Sequence, residues 1–114
     1  VNQTLKDVYF DDTKITEAKK QCYYDMSLRE GNRESFSARV QQIGKEPALD
    51  IAAIKTPTLT IWGKQDVLLD ISLLDNFKKI PNNKIIEYDS CGHSPQEEIP
   101  EKSVKDVISF LNSK

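Results

Sequence analysis

Two short runs rich in β-branched and aromatic residues constrain this chain most: Thr58-Leu59-Thr60-Ile61-Trp62 and Lys84-Ile85-Ile86-Glu87-Tyr88. Pro57 precedes the first run and Gly63 stops it, while Pro81-Asn82-Asn83 turns the chain into the second, so both read as strands. Between them Asp70 stands where a helix cap belongs. Leu73, Phe77 and Ile80 share an apolar face, with Lys78 and Lys79 near the negative end, and the spacing predicts a helix over 70–80. A strand–helix–strand order implies a right-handed crossover and parallel strands. Parallel strands expect neighbours at their edges and cover on both faces. Two alone make a poor sheet, so the sequence calls for strands that it does not contain.

After the second strand a loop runs from Asp89 to Ile99. Pro100 then opens a last helix, where a missing N–H costs nothing, with Val104, Val107, Ile108 and Leu111 on its apolar face. The texture before Pro47 is different, being helical and polar. Thr16 can cap a helix running to about Glu30, where Gly31-Asn32 is a good stop. Asn32 then caps a second helix, with Phe36, Val40 and Ile43 on one face and Gly44 closing it. Such a pair can form a helical hairpin, but its thin apolar stripe needs another surface to lie on. No internal repeat or low-complexity segment interrupts this order.

The bulk properties narrow the function classes. A chain of 114 residues is at most one domain, and 38% hydrophobic against 30% charged residues leans polar. Net charge −2 and a pI near 5.4, with no basic patch, argue against nucleic acid as a partner. No stretch approaches the roughly 20 apolar residues of a membrane span. The opening Val1-Asn2-Gln3-Thr4-Leu5-Lys6 has no signal pattern and suits a fragment or trimmed chain. Cys22 and Cys91 lie far apart without metal-ligand spacing, and a single histidine does not complete a zinc set. Reduced thiols and a cytoplasmic location are expected, with no metal and no organic cofactor.

The chemistry is concentrated in two loops. His93, the only histidine, lies in Gly92-His93-Ser94-Pro95 after the second strand, and Asp66 lies in Gly63-Lys64-Gln65-Asp66 after the first. Functional groups of open parallel sheets collect in loops beyond the carboxyl ends of strands, so both would open on the same edge. A carboxylate there can hold an imidazole in the tautomer that takes a proton from a nucleophile. A Gly-x-Ser-x-Gly nucleophile turn is absent from the sequence.

At these residues a family resemblance becomes specific. Ile54-Lys55-Thr56-Pro57-Thr58-Leu59-Thr60-Ile61-Trp62-Gly63-Lys64-Gln65-Asp66 resembles the "I-x-x-P-T-L-x-I-x-G-x-x-D" segment that delivers the triad acid in α/β-hydrolase-fold enzymes. Cys91-Gly92-His93-Ser94-Pro95-Gln96-Glu97-Glu98-Ile99-Pro100, with Phe110-Leu111 beyond it, resembles their terminal "G-H-x-x-x-x-E-x-P … F-L" segment. The likeness covers residues 54–111. Residues 1–50 have the position and helix-pair texture of a helical cap or lid, with 51–114 as the last strand–helix units of the core. Val8-Tyr9-Phe10-Asp11 and Arg29-Glu30-Gly31-Asn32 look like capped members acting on small organic substrates.

The resemblance implies an α/β fold: the C-terminal part of an α/β-hydrolase, a helical cap segment followed by two parallel strand–helix units. It implies a parent hydrolase acting on a small ester or related acyl compound, with His93 as general base and then acid and Asp66 orienting it. The nucleophile would lie outside this chain, which alone is expected to be inactive. A serine nucleophile stays open, because epoxide hydrolases and dehalogenases of the family use an aspartate. A non-catalytic binding or interaction module, with His93 and Asp66 as relics, is the alternative from another class.

Other polar and aromatic residues have plainer readings. Asp70 reads better as a helix cap than as the acid. Glu97 and Glu98 are expected to interact with the positive end of the last helix or to brace the histidine loop. Cys91 is too close in sequence to His93 to aim its sulfur at the imidazole. Trp62 is expected to pack, and Tyr23, Tyr24 and Met26 to pack within the cap. The exposed edge of the first strand is expected to make the isolated chain self-associate.

Overall fold

The two apolar runs form a parallel pair. In the computed structural model, which describes residues 2–113, β1 (Thr58–Gly63) and β2 (Asn83–Tyr88) run side by side in register from Thr58 opposite Asn83 to Gly63 opposite Tyr88. The pairing extends past the strands, with Thr58 N donating to Asn82 O (2.9 Å) and Lys64 N donating to Tyr88 O (2.9 Å). Both strands therefore end together, and their carboxyl-terminal loops leave from one edge.

Among the described residues three α-helices precede the sheet, α1 (Asn2–Val8), α2 (Glu17–Leu28) and α3 (Asn32–Gln42), with 3₁₀ turns at Asp12–Lys14 and Ile51–Ala53. Thr16 caps α2 as its sequence implies, accepting from Lys19 N at 3.2 Å. The start of α3 differs from expectation. Gly31 is the capping residue, in the left-handed conformation at φ 83°, while the Asn32 amide donates back to Met26 O (2.5 Å) at the end of α2. Neither α2 nor α3 has a buried residue, and the expected Phe36–Val40–Ile43 face is exposed throughout.

The crossover is also shorter in its helical part than the spacing predicts. Asp70 does cap, accepting from Ser72 N (2.8 Å), but it caps a 3₁₀ turn over Ile71–Leu73, followed by the single α-turn α4 (Leu74–Phe77). The helix stops at Phe77, whose i+4 residue Pro81 has no N–H to offer; its carbonyl accepts instead from Ile80 N (3.2 Å) and the Asn83 side-chain amide (2.9 Å), and Leu74, not Leu73, is the buried leucine. After β2 the chain makes one further turn, α5 (Pro95–Glu98), where the sequence suggested only loop. It then enters α6 (Pro100–Asn112), opened by Pro100 as expected. Both α5 and α6 touch β1.

The buried side chains are few. Leu5, Val8 and Tyr9 form a cluster with Ile15 and Tyr23 packed on it, while Trp62 is buried and its ring meets Phe77 at 5.8 Å. Val104, Ile108 and Leu111 on α6 are exposed, although they make its apolar stripe. The radius of gyration, 16.2 Å, exceeds the roughly 13 Å of a compact domain of this length. The apolar faces prepared by the sequence thus exceed what the chain covers by itself.

Candidate active site

Two glycines let three backbones stack at the sheet's carboxyl edge. A Cβ on Gly63 would overlap the carbonyls of Cys91 and Gly92. A Cβ on Gly92 would come 2.5 Å from Val8 O and 2.8 Å from Phe10 N. The histidine loop is therefore clamped between the end of β1 and the segment after α1, with no side chain intervening at the contact.

Hydrogen bonds fix this stack. His93 N donates to Val8 O (2.7 Å), Gly92 N donates to Glu98 Oε2 (2.7 Å), and Gln65 N donates to Cys91 O (3.0 Å). Cys91 N returns a bond to Gln65 Oε1 (3.1 Å). Ser90 turns the chain into the loop with φ 53°, a left-handed conformation uncommon for serine.

The stack brings Asp66 and His93 together from 27 positions apart, with Nδ1 2.8 Å from Asp66 Oδ2. The other carboxylate oxygen, Oδ1, accepts from Leu68 N (2.8 Å) and Leu69 N (2.9 Å). These two amides were not singled out in the sequence, although an aspartate followed by a short turn is their usual signal. The Asp66 side chain is 5% exposed and that of His93 is 36% exposed. A carboxylate only accepts, so facing it Nδ1 is the donor, and in the neutral imidazole Nε2 is the nitrogen that keeps the lone pair. Nε2 has no hydrogen-bond partner among the described residues.

Cys91 precedes Gly92 in the histidine loop. Its thiol is fully buried, 3.8 Å from Gly92 O, and burial together with the nearby Glu98 carboxylate pushes its pKa up to about 12. A thiol so protonated is no nucleophile at neutral pH. Glu98 is buried, and its Oε1 accepts from Asp11 N (2.9 Å) while its Oε2 holds Gly92, so it braces the histidine loop. Glu97 accepts from the Tyr9 hydroxyl (2.5 Å) and from the Tyr23 hydroxyl (3.1 Å). Lys19 donates to the Glu97 carbonyl (3.1 Å) and stands 4.6 Å above the Tyr9 ring. Burial, then the Glu97 carboxylate, holds the Tyr9 phenol well above its ordinary range. Tyr24 and Met26 are exposed, away from this network. Among the described residues no group of side chains is arranged to hold a metal ion.

A parallel sheet edge carrying an acid on one loop and a histidine on the next defines the class: the acid–histidine part of an open-sheet α/β enzyme fold. Known proteins make the family explicit. Over 61 residues the chain is 48% identical to monoacylglycerol lipase ABHD6 of Rattus norvegicus, a match taking in 53% of this chain and 18% of that protein. It is 30% identical over 109 residues to 2-hydroxymuconate semialdehyde hydrolase of Pseudomonas putida, covering 89% of this chain and 39% of that one. Among solved structures, a meta-cleavage product hydrolase (CumD) variant superposes with TM-score 0.82 at 25% identity, over 99% of this chain and 45% of that chain. A serine hydrolase involved in carbazole degradation (CarC) superposes with TM-score 0.84 at 25% identity, over 98% of this chain and 46% of that one. No protein-family model matches the chain. This chain belongs to the α/β-hydrolase-fold family and forms a C-terminal portion of that fold. It spans less than half the length of these relatives and structures.

Proposed function

We propose that this chain supplies the acid and the base of a hydrolase whose nucleophile lies on a segment outside these residues. The observation that carries the reading is the 2.8 Å contact of His93 Nδ1 with a buried Asp66, which leaves Nε2 open to take a proton. His93 acts as base on the nucleophile and then as acid toward the leaving group, while Asp66 fixes the tautomer and stabilises the imidazolium. The substrate is a small ester or related acyl compound. The names of the relatives support this: a monoacylglycerol lipase, a semialdehyde hydrolase, and a structure described as a serine hydrolase. That last name favours serine over aspartate as the nucleophile. In the same reading, residues 1–50 belong to a cap over the site. The isolated chain is inactive and pairs with its own copies through the open edge of β1.

The test is ester hydrolysis by the longer protein that contains this segment, using a short-chain p-nitrophenyl ester. His93→Ala is expected to lower kcat by roughly 10⁴-fold or more, and Asp66→Asn by about 10⁴-fold. A fluorophosphonate probe should label one serine in the parent. Wild-type activity in the His93→Ala protein would overturn the assignment and leave the dyad as a relic.

A further inference from the structure

Glu98 is the most deeply buried charged side chain among the described residues, 3% exposed, and none of its hydrogen bonds comes from a cationic side chain. Two neutral backbone amides satisfy it, Asp11 N at 2.9 Å and Gly92 N at 2.7 Å. A buried carboxylate held only by neutral donors is a costly device for packing. What it joins is specific, because Gly92 is the residue before His93 and Asp11 follows the segment whose Val8 carbonyl holds His93 N at 2.7 Å. The histidine main chain is thus gripped on consecutive amides, one by Glu98 and one by Val8, while Asp66 grips the ring. The adjacent Glu97 ties the same turn, α5, to α2 through the Tyr23 hydroxyl.

We propose that Glu98 is a positioning residue for His93: its buried carboxylate spans Asp11 N and Gly92 N and so sets where the imidazole stands relative to the nucleophile. The proposal rests on the reading of His93 as the general base. Removing the carboxylate leaves Gly92 N unpaired and lets the loop shift, and a displacement of about 1 Å at such a site lowers turnover about 10²-fold. Binding of substrate does not involve Glu98, so KM should hold.

The experiment is steady-state ester hydrolysis by the full hydrolase containing this segment, with Glu98→Ala, Glu98→Gln and, as the control, His93→Ala, each with a thermal melt. Glu98→Ala is expected to lower kcat about 10²-fold with KM unchanged at a temperature where the protein is folded. Glu98→Gln keeps one carbonyl acceptor and the side-chain volume, and is expected to recover part of that loss. If Glu98→Ala does not fold, Glu98→Gln decides: reduced kcat with unchanged KM supports the proposal, and wild-type kcat overturns it. A lowered melting temperature with wild-type kcat in either variant would also overturn it, making Glu98 purely a packing group. Full activity in His93→Ala would instead remove the reading beneath it, an outcome distinct from any seen with Glu98 alone.

Discussion

Gly92 and Cys91 sit one residue apart and meet opposite demands. Gly92 has no room for a Cβ against Val8 O and Phe10 N, both backbone atoms that do not swing aside. Gly92→Ala is therefore expected to destabilise the fold by roughly 1–3 kcal/mol, as overpacking does, and to shift His93 with it. Chemical denaturation of the two proteins side by side measures the first effect. Cys91 is buried, with its thiol pushed up to about 12, whereas Cys22 is exposed. A pKa raised so far keeps the Cys91 thiol protonated at every pH below it, so at pH 8 iodoacetamide should modify Cys22 alone. Intact mass spectrometry would show one adduct before unfolding and two after it. Equal labelling of both cysteines in the folded protein would contradict the burial of the histidine loop.

At the scale of elements, the clearest readings came from segments whose ends are punctuated by proline or glycine. Pro57 and Gly63 bracket β1 to within a residue, and Pro100 marks the first residue of α6. The Asp66–His93 meeting was legible for the same reason, since two parallel strands ending together must open their loops on one edge. What the sequence left hidden depends on tertiary partners. α1 buries Leu5 and Val8, a placement that depends on the partners they pack on. The apolar spacing over 70–80 is that of a helix, yet Pro81 lacks the N–H that Phe77 O would need, and Ile80 N and the Asn83 side chain take that carbonyl instead. Asn32 has the chemistry of a cap but is spent on Met26 O. α5 had a usable signal in Ser94-Pro95 followed by Glu97-Glu98, a helix start that a four-residue turn satisfies. Because α3 buries none of its residues, its amides should exchange with deuterated solvent much faster than those of β1 and β2. Equal protection in both would mean that α3 is covered in a way its exposed Phe36 does not show.

Over the whole molecule, apolar surface is left uncovered on α3 and α6, and the dimensions are those of an expanded rather than a close-packed chain of this length. A groove of about 300 Å³ on the α6 side is lined by Ile61 of β1, Gln96 of α5 and Pro100, Ser103, Val104 and Val107 of α6. The isolated chain is accordingly expected to run as a dimer or larger species in light scattering at high concentration. A monodisperse 13.0 kDa monomer would count against self-association.

The contact of bare backbone at Gly63, Gly92 and Val8 also carries a lesson for protein engineering. Close main-chain packing, together with the Glu98 and Gln65 side chains, holds the acid and the histidine at their separation. Val67, the neighbour of Asp66, is exposed, so its substitution is expected to leave the contact between Asp66 and His93 in place.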